Sequence, residues 1–370
     1  MPFSDFLGNA ETVRRLREAL GQNRLPQAIL LTGPEGAGKY TLAQMTAKTA
    51  NCQNSAKSLD ASSGQQLPDF CGTCDSCTGI AQADDLRARF EEAVEAREGL
   101  RETDKKDTRI MVQTHPGVLV IPPDPPQMLI KVGQVRRVIE EIYYRPSDVR
   151  RSFFIFTEGK FMKEAANSLL KVLEEPPDYA TIFLLATNAG ELLPTIRSRC
   201  IHLSLSALPQ SEIESFLAGR RPEWNARQRS LVARLSQGAI GKAAGFDLAA
   251  YVQARQDALT VLNTAIDASD HSELFRTTET YRAGGEGKDK TDQLLRCLYS
   301  LFEDLLMVQS GTPELIRNSD IANELNKLAT RVSFDWISEA SYRLGQVESG
   351  MRRNLLRSLS LDAFVAALER

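Results

Sequence analysis

The sequence predicts an α/β fold: a parallel sheet organised around a phosphate-binding loop, interrupted by a cysteine-rich module and followed by an all-helical remainder. Apolar runs of strand length near residues 28–32, 117–121, 152–157, 181–186 and 200–204 are separated by segments of helical periodicity, as in repeated strand-helix units. Gly33-Pro34-Glu35-Gly36-Ala37-Gly38-Lys39-Tyr40 fits the pattern G-x-x-x-x-G-K and lies between the first of those runs and a helical stretch at 41–47. From Leu208-Pro209 onward the chain reads as helical.

The loop is informative because its last position is altered. Gly33, Gly36 and Gly38 let backbone N–H groups turn inward on a phosphate, Lys39 reaches the outer phosphates, and a Ser or Thr hydroxyl at the next position would hold Mg²⁺. Tyr40 occupies that position. A phenol cannot sit where a short hydroxyl would, and Thr41 points about 100° away around the helix. The cradle for ATP or ADP is retained in sequence while the metal site is damaged, so nucleotide occupancy stays open.

The run Ser152-Phe153-Phe154-Ile155-Phe156 leads to Thr157-Glu158. In ATPases with this loop, such a strand ends in an Asp that holds Mg²⁺, often followed by a Glu that polarises water. Thr157 stands in the Asp position, a second damaged metal-holding position, and the chain is expected not to hydrolyse ATP on its own. A third run ends at Thr187-Asn188, which the carboxyl-end rule for parallel sheets places beside the phosphate site. The segment 164–175 has helical spacing, stopped by Pro176-Pro177, and Leu193-Pro194-Thr195-Ile196-Arg197-Ser198-Arg199-Cys200 is a short helix carrying two arginines. By itself that pair reads as a solvated basic helix end.

Cys71-Gly72-Thr73-Cys74-Asp75-Ser76-Cys77, with Cys52 upstream, supplies four thiols. Two-residue gaps let sulfurs converge on one ion, and Zn²⁺ in structural sites takes four such ligands, leaving no open position for catalysis. Buried free thiols and an iron-sulfur cluster are the alternatives, with structural zinc favoured. Cys200 and Cys297 read as small core residues.

The chain has 370 residues, 42% apolar and 25% charged, an ordinary globular composition for two or three domains. No apolar run approaches the roughly 20 residues that span a bilayer, and the start Met1-Pro2-Phe3-Ser4 lacks the layout of a signal peptide; no membrane partner and a cytoplasmic location are expected. That reducing compartment disfavours disulfides. A net charge of −3 argues against a dedicated nucleic-acid binder, so DNA contact would be local or shared with other subunits.

Taken together, residues 33–40, the four cysteines, Thr114-His115-Pro116, the run Asn167-Ser168-Leu169-Leu170-Lys171-Val172-Leu173-Glu174-Glu175-Pro176-Pro177 and Ser198-Arg199-Cys200 closely resemble the bacterial clamp-loader subunits of DNA polymerase III, a family of AAA+ proteins. The resemblance is strong to about residue 250 and weaker beyond, where 353–362 looks like the last helix of the family's collar. It implies an AAA+ domain at 1–205 containing a zinc module (52–77), a helical lid at 206–250 and a helical collar at 251–370; the charged insertion (84–107) is longer than the family usually has and is assigned no function.

Within that family, the resemblance is to the delta-prime type: a stator whose Ser-Arg-Cys arginine, here Arg199, acts as a finger on the ATP of a neighbouring motor subunit. It is thereby a component of the DNA-directed DNA polymerase holoenzyme in DNA replication. Tyr40, Thr157 and Gly241, where motors tend to place a phosphate-sensing Arg, fit that type, whereas Lys39 is retained. Implied partners are motor and delta-type subunits, the sliding clamp indirectly, and primed DNA through the assembly. An active motor ATPase of the gamma or tau type is the first alternative, and a zinc-dependent DNA-binding protein the second.

Several segments carry lesser expectations. Residues 84–107, dense in charge, read as a solvated helix or a disordered insertion. Ile130, Val135, Val138, Ile139 and Ile142 form a buried stripe, leaving Lys131, Gln134, Arg136 and Arg137 outward; surface solubility explains these better than DNA-phosphate contact, which only the resemblance raises. Residues 283–290 read as a glycine-rich loop, and the helix at 294–306 has more apolar face than a lone bundle needs, suggesting subunit packing.

Overall fold

A computed structural model describes residues 2–60, 63–266, 271–281, 286–351 and 356–368. The chain divides into two units, Met1–Leu208 with Ala239–Gly241, and Pro209–Gly238 with Lys242–Arg370.

Among the described residues, the first unit contains β1 (Ala28–Thr32), β2 (Lys57–Leu59), β3 (Gln66–Pro68), β4 (Val112–His115), β5 (Val118–Ile121), β6 (Ser152–Phe156), β7 (Ala180–Ala186) and β8 (Ile201–Ser204). Six form one sheet in the order β4-β5-β6-β7-β1-β8, parallel throughout except for the antiparallel edge pair β4 and β5. The five strands expected from the apolar runs are these five parallel ones. Two features were not expected. β4 is a four-residue segment with only Val112 and His115 buried, too weakly patterned to read as a strand, and β2 and β3 pair as a small antiparallel hairpin in the cysteine-rich module.

The central strands are apolar on both faces because both are covered. Ile29, Leu31, Phe153, Ile155, Phe183 and Leu185 face the helix Lys39–Asn51 and the cysteine module. Leu30, Phe154, Phe156, Ile182 and Leu184 face the helices Val132–Ile142 and Lys163–Glu174. The side-chain period of two thus sorts each strand into two cores.

The helix Lys39–Asn51 is buried along most of its length. Its last residue, Asn51, accepts through Oδ1 from Arg150 N and Arg151 N, 3.1 Å each, and donates through Nδ2 to Arg151 O at 2.9 Å. One side chain thereby replaces the backbone partners missing at the entry to β6.

Val135, Val138 and Ile142 are fully buried as the periodicity predicts, but Gln134 is not outward. Its Oε1 accepts from Lys131 N at 2.9 Å and its Nε2 donates to Ile110 O and Pro122 O at 2.8 and 2.7 Å. A buried amide with three partners mimics the backbone, which an apolar-stripe rule cannot anticipate. Lys131 is spent on Asp124 and Pro125 O, and Arg137 pairs with Glu141. The charged insertion is helical at Leu86–Glu98 and Glu102–Asp107; the longer helix buries none of its residues, while Arg97 reaches the buried Asp124 at 2.5 Å.

The second unit is helical, with the helices Leu248–Ile266, Glu286–Gln309, Phe334–Met351 and Arg357–Leu368 around one core. The apolar face at 294–306 is consumed within this unit: Leu294, Leu298, Leu301 and Leu305 are wholly inaccessible, so the excess inferred for subunit packing is not there. A helix with so wide an apolar face is one buried among the other helices of its own unit. Of the expected loop at 283–290, residues 283–285 lie outside the described residues and 286–290 begin the helix Glu286–Gln309. Residues 353–355 of the expected last helix also lie outside them; the helix itself runs Arg357–Leu368. Among the described residues no helix is long and apolar enough to cross a membrane.

Asn51→Ala orphans two backbone N–H groups, each costing about 1–3 kcal/mol. Chemical denaturation followed by circular dichroism should show a loss of roughly 2–4 kcal/mol in the transition of the first unit.

Candidate functional site

The phosphate loop spans the gap between Thr32, the last residue of β1, and Lys39, the first of its helix. Gly36 and Gly38 hold φ of 82° and 91°, the turn that aims successive N–H groups inward. Lys39 Nζ folds back onto Gly33 O at 2.7 Å and Pro34 O at 2.9 Å. Gly33 N approaches Ala186 O and Thr187 O at 3.3 and 3.2 Å, bringing the loop against the end of β7.

Tyr40 has a definite role. Its hydroxyl donates to Ala83 O at 2.6 Å and accepts from Gln44 Nε2 at 2.6 Å, and burial pushes the phenol up from its ordinary value. The ring therefore joins the loop's helix to the segment following the cysteine-bearing helix Asp75–Ala81, and supplies no oxygen to a metal in the loop. Lys48 reinforces the join by pairing with Asp84 at 2.5 Å.

Thr157 follows β6 and its N–H donates to Ile121 O. Glu158 is raised above the usual carboxylate range, first by burial and further by Glu191 and Glu35, against the opposing charges of Lys160 and Lys39. Two of these charges, Lys39 and Glu35, belong to the loop, so Glu158 lies beside it. Glu191 accepts from Thr187 N at 3.3 Å and from Asn188 Nδ2 at 3.4 Å. Sequence reasoning missed Glu191; its position three residues past Asn188 at a strand end was the available signal.

Gly241 lies against the loop. Its N–H donates to Gly36 O at 2.8 Å, and a Cβ there would come within 2.9 Å of that oxygen and 3.2 Å of Gly36 Cα. An arginine cannot occupy this backbone position without displacing the loop.

The four cysteine sulfurs all lie within 4.8 Å of one another. Tetrahedral zinc with bonds of about 2.3 Å separates its sulfurs by roughly 3.8 Å, so the cluster is of the right size to hold a metal after a small contraction. The sulfurs come from four settings: Cys52 just past the loop's helix, Cys71 after β3, Cys74 at the start of the helix Asp75–Ala81 and Cys77 within it. Cys71 N donates to Cys52 Sγ and Cys74 N to Cys71 Sγ at 3.3 Å each, with Thr73 N and Asn54 Nδ2 also turned to Cys71. Hydrogen bonds from Thr73 and then Cys74 pull the Cys71 thiol down to about 5, while burial pushes Cys77 up. N–H groups aimed at a sulfur suit a thiolate ligand. Cys200 and Cys297 are packed in apolar surroundings, and burial raises both thiols.

Arg199 stands apart from the loop's own group of side chains. Its Nη1 donates to Thr195 O and its Nη2 to Glu174 Oε1, both at 2.7 Å. Loop, Glu158, Thr187 and Asn188 thus converge, the cysteines converge separately, and Arg199 is presented elsewhere.

Tyr40→Phe removes a hydroxyl with two partners and leaves the buried Ala83 O without its donor. The expected cost is about 1–3 kcal/mol, measured as a lower denaturation midpoint.

The profile of the family described as "DNA polymerase III, delta subunit" matches residues 8–209. The DNA polymerase III subunit tau/gamma of Haemophilus influenzae is 29% identical over 218 residues, 58% of this chain and 25% of that protein. The DNA polymerase III subunit tau of Escherichia coli is 27% identical over 274 residues, 72% of this chain and 33% of that protein. The match therefore spans a third or less of these two relatives. A DNA polymerase III gamma subunit-related protein of Thermotoga maritima aligns over 96% of this chain and 98% of its own, at 16% identity and a TM-score of 0.43, too low to bear on the argument. Because the family profile covers more than half of its length, the chain belongs to the DNA polymerase III, delta subunit family.

Proposed function

We propose that this chain is a clamp-loader subunit acting in DNA replication, of delta-prime type, which donates Arg199 in trans to ATP held by a neighbouring subunit and does not itself hydrolyse ATP. The observation that carries this reading is the anchoring of Tyr40 on Ala83 and Gln44. The position that would bind Mg²⁺ is committed to a structural join, and Thr157 removes the second metal-holding group. Gly241, in close contact with Gly36, adds a third departure from a motor site. The loop retains Lys39 and its glycines, which suit ADP or ATP as a passive ligand.

A donated arginine fits the energetics. Spreading γ-phosphate charge in the transition state is worth about 10³–10⁵ in rate, roughly 4–7 kcal/mol, without chemistry in the donor subunit. Zinc in the cluster of Cys52, Cys71, Cys74 and Cys77 would be structural, since four thiolates fill its coordination. The division into domains at 1–205, 206–250 and 251–370, with partners of motor and delta types, the sliding clamp and primed DNA, belongs to this proposal.

The gamma or tau motor reading has its own support: the curated relatives carry tau and gamma names, and by that similarity the motor reading fits better. The delta-prime reading rests on the residues of this chain's own loop. Reconstitution with candidate subunits separates the two. Arg199→Ala is expected to slow ATP turnover of the complex by at least about 10³-fold with assembly intact, whereas Lys39→Ala leaves it unchanged. Vigorous Mg-ATP hydrolysis by the chain alone, abolished by Lys39→Ala, would establish the motor reading instead.

Metal analysis should find one zinc per chain. Chelation should lower the denaturation midpoint of the first unit, and a metal-free preparation of full stability would remove zinc from the account.

A further inference from the structure

We propose that Glu174 is the positioning residue for Arg199, an inference that rests on the reading of Arg199 as an in-trans donor. Glu174 ends the helix Lys163–Glu174, and Glu175 leaves helical geometry at φ −134° and ψ 63° because Pro176 follows it. The carboxylate is thus carried on the last turn of a rigid element. An acid at a helix C-terminus faces the negative end of the dipole, the unfavourable end for it, so this placement calls for a compensating cation. Arg199 is that cation: Nη2 meets Glu174 Oε1 at 2.7 Å while Nη1 meets Thr195 O at 2.7 Å.

Ser198 Oγ donates to the same Thr195 O at 3.1 Å, so Ser198 and Arg199 together close the short helix Pro194–Arg197. Cys200 packs into the apolar face beneath the sheet. The Ser-Arg-Cys segment is therefore held at each residue, and the guanidinium is fixed from two directions. Of its five N–H donors, two are used, and the side chain keeps 33% of its surface exposed. The remaining donors are left for a phosphate arriving from another subunit, on a guanidinium whose direction Glu174 sets. A free arginine would have to be ordered in each catalytic event.

The test is single-turnover ATP hydrolysis by the reconstituted complex, with melting temperature and zinc content as controls. Glu174→Ala is expected to lower the maximal rate roughly 3- to 10-fold with little change in the ATP concentration for half-saturation, the range set by losing a partly exposed ion pair and the ordering it provides. Glu174→Gln, which keeps an acceptor oxygen, should restore most of the rate. In an Arg199→Ala background, Glu174→Ala should cause no further loss. An unchanged or faster rate in Glu174→Ala, or an additive loss in the double variant, overturns the proposal while leaving Arg199's role standing. If Arg199→Ala alone is without effect, the in-trans reading fails and the proposal with it.

Discussion

The helix Lys39–Asn51 is the member on which the first unit depends. Its first residue is the lysine of the phosphate loop, its second ties to Ala83, and its last bonds to the entry of β6; the residue just beyond it, Cys52, belongs to the cysteine cluster. Burial on nearly every side means that it cannot shift without moving the loop, the cysteine cluster and the strand entry together.

That connectivity explains why Tyr40 is compatible with a well-formed loop. A Ser or Thr would serve a metal in the loop and leave Ala83 O unmet at the boundary of the cysteine module. Tyrosine meets Ala83 O and gives up the metal contact. The same exchange appears at Gly241, where a close backbone approach to Gly36 takes the space an arginine side chain would start from. At both positions, contacts that tie the loop to its surroundings take the place a short hydroxyl or a larger side chain would need.

Much of this was legible in the sequence, and the remainder was hidden for identifiable reasons. Strands buried on both faces, such as Ala28–Thr32 and Ala180–Ala186, are continuous apolar runs and were read to within a residue or two. The edge strand Val112–His115 and the hairpin of Lys57–Leu59 with Gln66–Pro68 bury too little to produce a pattern. Cysteine spacing gave the cluster, since two-residue gaps constrain where sulfurs can go. What spacing cannot give is a partner distant in sequence. Gln134 bonding to Ile110 O, Tyr40 to Ala83 O and Arg199 to Glu174 are all contacts between residues more than twenty apart, decided by packing and not by local periodicity.

The phosphate loop and Arg199 are held by opposite strategies, and the contrast has a physical basis. The side chains of Lys39 and Tyr40 are half-buried, and their hydrogen bonds are directed inward, to Gly33 O, Pro34 O and Ala83 O. Changing such a site means breaking contacts in a low-dielectric interior, which is costly. Arg199 is ordered at the surface by one carbonyl and one half-exposed carboxylate, contacts that orient the guanidinium without using all of its donors. A rigid interior and a pre-aimed surface cation with donors to spare are what a subunit needs if its contribution to chemistry lies on another molecule's nucleotide.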